Sequence, residues 1–60
     1  MPIVTVVQGP RNVDQKRALV KDITDAFVDG YGIPAKTVQV WVLDTPTDGW
    51  GVGGTLTADR

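Results

Sequence analysis

The chain has 60 residues, contains no cysteine, histidine, serine or glutamate, and carries a net charge of −1 from six basic and seven acidic side chains. That inventory excludes disulfide frameworks, serine–histidine triads, cysteine nucleophiles and histidine general bases, and it leaves only aspartates for a metal site, against the pattern of zinc ligation. The charge balance speaks against a nucleic-acid partner, and no apolar run is long enough to cross a bilayer.

The first element is a short strand at residues 3–7, the β-branched run Ile-Val-Thr-Val-Val. It is apolar on both faces, as in a strand covered on both sides, and Gly9-Pro10 ends it. A helix follows from Val13 to Gly30. Asn12 is its expected N-cap, with Gln15 three residues on as in a capping box. Leu19, Ile23, Ala26 and Phe27 form one apolar stripe with Val20 beside it. Gly30 and Gly32 are expected to break the helix, and Pro34 seals the stop. A second strand is expected at Val38–Leu43. Its alternation sends Val38, Val40 and Val42 one way and Gln39, Trp41 and Leu43 the other. The helical crossover is long enough to make the two strands parallel. The glycine-rich tail, with glycines at 49, 51, 53 and 54 around Trp50 and Val52, reads as a small hairpin or a wrapping arm.

These elements make one α+β domain over residues 1–60, a β-α-β protomer with two parallel strands, one long helix and a C-terminal hairpin. A lone two-stranded sheet does not hold in water. The helix covers one face of it, while the other face and both edges need neighbours. A core below ~70–80 residues rarely supplies more than about 3–5 kcal/mol. With no disulfide or metal staple, assembly into an obligate homo-oligomer is the remaining source of stability.

The helix carries Lys16, Arg17 and Lys21 in its first half, just after Arg11, and Asp22, Asp25 and Asp29 in its second half. That order opposes the helix dipole. It reads either as a solvated or ion-paired face, or as a positive focus that attracts a small anion.

Proline follows the initiator methionine. A small second residue permits removal of Met1, which would leave Pro2 as a free secondary amine. An ordinary α-amino group titrates near ~7.7–8.0. Apolar surroundings, or a cation such as Arg11, would lower that value. The amine would then be a neutral base at physiological pH, suited to moving a proton next to a carbonyl. The first residues lack the basic start and continuous apolar stretch of a secretory signal, so the expected location is the cytoplasm.

The chain strings together Met-Pro-Ile, a short strand, Gly9-Pro10-Arg11, an amphipathic helix containing Asp14-Gln15-Lys16, Val38-Gln39-Val40 and Gly49-Trp50-Gly51-Val52-Gly53-Gly54. In this order it closely resembles the 4-oxalocrotonate tautomerase family over essentially its whole length. The resemblance implies β-α-β protomers that pair into dimers and build hexamers, with no metal or organic cofactor, acting on small enol and keto acids of the 2-hydroxymuconate type met in aromatic catabolism. It implies Pro2 as the catalytic base, Arg11 as the group that binds a substrate carboxylate, and Trp50 as the aromatic that closes the site. Gln39 stands where better-known members carry a second arginine. Glutamine can donate a hydrogen bond but brings no charge, so a monoacid substrate becomes as plausible as a dicarboxylate. Gly-Pro-Arg replaces the common Gly-Arg, a one-residue change that falls in the strand and turn before the helix and bears on where Arg11 stands relative to Pro2. Val52 stands where related dehalogenases have a water-activating glutamate, so dehalogenation is set aside. Lys36 and Arg60 could supply a second cation. Trp41 and Tyr31 read as packing residues. The alternative to an enzyme is a catalytically silent assembly module of the same fold.

Overall fold

The computed structural model describes residues 1–60. Strand β1 runs Ile3–Gln8, helix α1 Val13–Tyr31 and strand β2 Gln39–Asp44. A two-stranded hairpin follows, with β3 at Gly51–Val52 and β4 at Thr55–Leu56. Short 3-10 turns at Ala35–Thr37, Thr47–Gly49 and Thr57–Asp59 fill the connections. Strands β1 and β2 pair in parallel, Ile3 opposite Gln39 through Gln8 opposite Asp44. Strands β3 and β4 pair antiparallel. The expected β-α-β unit with a terminal hairpin is therefore the observed architecture.

Helix α1 starts where its cap allows. Asn12 is extended, and its side chain accepts a 2.8 Å hydrogen bond from the Gln15 backbone N–H, which satisfies one of the donors left over at a helix start. Only half of the expected capping box forms, because the Gln15 side chain returns no bond. At the other end Gly32 takes a left-handed φ of 65° and its N–H reaches the Val28 carbonyl at 2.9 Å. Gly30 does not break the helix: it lies inside α1, where nothing crowds it. Replacing Asn12 by alanine should lower stability by about 1 kcal/mol. Thermal unfolding at fixed protein concentration checks this, with an unchanged midpoint counting against the cap.

Alternation decides what meets the helix. Val4, Val6 and Gln8 of β1 and Val40 and Val42 of β2 are half-buried, while Ile3, Thr5, Val7, Trp41 and Leu43 are exposed. On α1, Leu19, Val20, Ile23 and Phe27 are half-buried. Ala26, at the edge of that stripe, stays exposed. Phe27 meets Tyr31 edge to face, with ring centroids 5.6 Å apart. Strand β2 begins one residue later than the alternation suggested, because Val38 closes the preceding 3-10 turn.

The tail glycines have separate steric reasons. Gly53 and Gly54 both have positive φ, 63° and 86°, as a tight two-residue hairpin turn demands. A Cβ on Gly51 would stand 2.6 Å from the Thr55 carbonyl oxygen, so β3 and β4 can approach only because that side chain is missing.

No residue of the single chain is fully buried. The accessible surface is 4486 Å², against about 3800 Å² for a compact monomer of this mass. The molecule measures 44 × 23 × 13 Å with a radius of gyration of 14.6 Å, where a self-contained chain of this length would show ~10 Å. It is a slab one helix and one sheet thick. The second cover expected for β1 is not supplied by the chain itself: Ile3, Val7, Trp41 and Leu43 stay 63%, 68%, 56% and 47% exposed.

Candidate active site

The four residues singled out in the sequence fall into two pairs at opposite ends of the sheet. Pro2 immediately precedes β1, and its carbonyl accepts a 3.0 Å hydrogen bond from the Gln39 backbone N–H. Parallel pairing forces this proximity, since both residues lie where their strands start. The Gln39 side-chain amide is turned toward the chain start and lies 3.7 Å from the Met1 sulfur, a weak acceptor. Pro2 is half-buried and Met1 is 82% exposed.

Arg11 and Trp50 belong to the other end. Arg11 follows the Gly9-Pro10 turn that leads from β1 into α1. Trp50 is carried back to the same turn by the hairpin: its carbonyl accepts from the Thr57 N–H at 2.9 Å, and its ring atom Cζ2 lies 4.0 Å from where a Cβ on Gly9 would be. The indole therefore lies against the turn at a distance that a Cβ on residue 9 would meet as an ordinary contact. Val7, Gln8, Gly9, Thr45 and Trp50 enclose a cavity of about 220 Å³. A second cavity of about 190 Å³ is lined by Gln8, Arg11, Gln15, Lys16 and Leu19, and the two share Gln8.

Within one chain, then, Pro2 lies beside Gln39 but not beside Arg11. The six residues of β1, at ~3.3 Å each, put roughly 20 Å between its ends. The expectation that Arg11 could depress the Pro2 amine by proximity does not hold inside a single protomer.

The charges near the start of α1 are mostly taken. Lys16 pairs with Asp44 at 2.6 Å, Arg17 with Asp14 at 2.8 Å and Lys21 with Asp25 at 2.6 Å. Of the two readings of the helix charges, the ion-paired face fits these three cations. Hydrogen bonding and charge from Asp25 raise the Lys21 ammonium above the ordinary lysine range. Arg11, Lys36 and Arg60 make no ion pair. Lys36 sits on the turn that leads into Gln39, and Arg60 ends the chain. The aspartates do not gather into a group that could hold a metal ion.

Asp44 was not singled out in the sequence. Its carboxylate accepts from Lys16 Nζ at 2.6 Å and from Gln8 Nε2 at 3.4 Å. The hydrogen-bonded Lys16 ammonium holds it below the usual carboxylate range against partial desolvation, with smaller contributions from the Gln8 amide and the Arg11 backbone N–H. The signal was present in the alternation. Asp44 continues the helix-facing row of Val40 and Val42, Gln8 continues that of Val4 and Val6, and Lys16 precedes Val20 by one helical turn. Three polar residues thus close one end of an otherwise apolar interface.

Residues 2–60 match a family described as tautomerase enzyme. The chain is 39% identical over 44 residues to a 2-hydroxymuconate tautomerase of Comamonas testosteroni, covering 73% of this chain and 70% of that protein. It is 37% identical over 61 residues to a probable tautomerase of Lactiplantibacillus plantarum, covering 100% of this chain and 95% of that protein. Among solved structures it superposes on a 4-oxalocrotonate tautomerase homologue with a TM-score of 0.92 at 30% identity, covering 100% of this chain and 97% of that one.

Proposed function

The chain belongs to the tautomerase family, and from that premise we propose that it is a cofactor-free tautomerase of small enol acids with Pro2 as its general base. The observation that carries this reading is the placement of Pro2 as second residue, half-buried at the start of an apolar strand and beside the Gln39 amide. While Met1 is attached, the Pro2 nitrogen is an amide without basicity. Its removal creates a secondary amine and frees the Gln39 side chain from its contact with the Met1 sulfur.

In the reaction the amine lone pair takes the proton from the enol hydroxyl, and the oxygen electrons form the carbonyl. The resulting ammonium returns the proton to carbon, so no net proton or electron is exchanged. Gln39 donates a hydrogen bond to the oxygen on which charge develops, a stabilisation that counts most where charge changes. Arg11 clamps a substrate carboxylate through two parallel N–H bonds, and Trp50 closes the apolar side.

Because the two halves lie at opposite ends of one chain, each site takes Pro2 from one protomer and Arg11 from another. The exposed apolar sheet face and both free sheet edges support a homo-oligomer, which we read as a hexamer of three dimers in the cytoplasm. No helix is long and apolar enough to cross a membrane.

Gln39 bears on the substrate. Its side chain brings no charge to the Pro2 half of the site, so a substrate with one carboxylate is favoured over a dicarboxylate such as 2-hydroxymuconate. Intact mass, followed by ultraviolet assay of mono- and dicarboxylate enol acids, tests the reading: Met1-free protein should ketonise the monoacid. Gln39→Arg should raise the dicarboxylate-to-monocarboxylate ratio of kcat/KM by about ten- to a hundredfold, the worth of one charged hydrogen bond. An unmoved ratio removes Gln39 from the site. Met1-free protein inert toward every enol acid would favour the silent assembly module instead.

A further inference from the structure

We propose that Asp44 determines how many negative charges the Arg11 cavity accepts, by holding the Lys16 ammonium in an ion pair so that Arg11 remains the one unpaired cation lining it. This rests on the reading of Arg11 as a carboxylate clamp.

The cavity wall has two cations, Arg11 and Lys16. Lys16 is engaged by Asp44 at 2.6 Å, and the two side chains are only 31% and 28% exposed. That is less open than the other two ion pairs, Arg17–Asp14 and Lys21–Asp25, whose side chains are at least 50% exposed. Asp44 is itself fixed. It is opposite Gln8 in the β ladder, takes a second hydrogen bond from the Gln8 amide, and precedes Thr45, whose N–H is bonded to the Gln8 carbonyl at 2.8 Å. Its carboxylate therefore spends the Lys16 charge. A ligand enters with one carboxylate on Arg11 and finds no second cation.

Removing the Asp44 charge without changing its shape should release Lys16 into the cavity. The test uses the assembled protein and two unreactive probes of equal carbon number, crotonate with one carboxylate and fumarate with two, followed by tryptophan fluorescence and backbone amide shifts. In Asp44→Asn, fumarate affinity should rise relative to crotonate by about tenfold. The double variant Asp44→Asn with Lys16→Gln should return the ratio to its original value. Lys16→Gln alone leaves Asp44 unpaired beside Arg11 and should weaken both probes several-fold, so the proposal stays testable if Asp44→Asn does not fold.

An equal gain for both probes in Asp44→Asn, a fumarate gain that survives in the double variant, or unchanged binding in Lys16→Gln would overturn the proposal. Arg11→Ala separates the two levels. If neither probe loses affinity there, the clamp reading fails and this inference falls with it. If both do, only the roles of Asp44 and Lys16 are at stake.

Discussion

Pro2→Ala is expected to lower ketonisation of the enol acid by about a hundredfold to ten-thousandfold, the range over which a positioned general base contributes. Alanine, like proline, is small enough to permit loss of Met1, so intact mass should show both proteins trimmed. The comparison then isolates the ring amine. What changes is its secondary character and its position: the pyrrolidine fixes φ near ~−65° and presents the nitrogen lone pair in one direction, whereas an alanine amine rotates and is more strongly hydrated. The pH dependence carries a second signature. A base works in its deprotonated form, so kcat/KM of the unmodified enzyme rises with pH through the amine's pKa and levels above it. An ordinary α-amino group would place that rise near ~7.7–8.0, and apolar surroundings place it lower, because they disfavour the ammonium. The variant should lose this limb or shift it. A Pro2→Ala protein with unchanged rate and profile would end the mechanism. The same follows if protein that retains Met1 is as active as trimmed protein, since an amide nitrogen cannot take the proton.

What could be read from the sequence was what depends on short range. The Asn12 cap, the apolar rows of β1 and β2 and the Gly53-Gly54 turn each follow from two to four neighbouring residues, and each is present. Gly30 was misread because helix breaking by glycine depends on where the chain must turn. Here the left-handed position is Gly32, and Gly30 is carried along inside the helix. Asp44 was missed for the opposite reason. Its partner Lys16 is 28 residues away, and neither residue is unusual until β2 and α1 are docked with their like-facing rows in register. The grouping of site residues lay between these cases. Pairing Pro2 with Gln39 follows from parallel strands starting together. The separation of Arg11 from Pro2 follows from the length of β1, which could have been counted in the sequence and puts the two residues at opposite ends of one chain.

That separation leads to the second large effect. Arg11→Ala removes a charge-assisted contact worth about 1.5–3 kcal/mol, so KM for a monocarboxylate should rise roughly ten- to a hundredfold. The amine that does the proton transfer is untouched, so kcat should fall less. More telling is the mixture. Pro2→Ala chains retain Arg11, and Arg11→Ala chains retain Pro2. If every site takes its base from one protomer and its clamp from another, unfolding and refolding the two variants together at equal amounts should create sites with both groups intact. Random assembly makes about a quarter of the sites competent, half of the bases being intact and, independently, half of the clamps. A site contained in one chain would give no such recovery, since each chain lacks one of the two groups wherever it is placed. Activity near a quarter of the unmodified enzyme supports the shared site, measured at substrate low enough for the Arg11 contact to matter. Activity no higher than the mean of the separate variants would sink it, and the exposed Ile3, Val7, Trp41 and Leu43 face would then have to be covered by an assembly that keeps Pro2 and Arg11 apart.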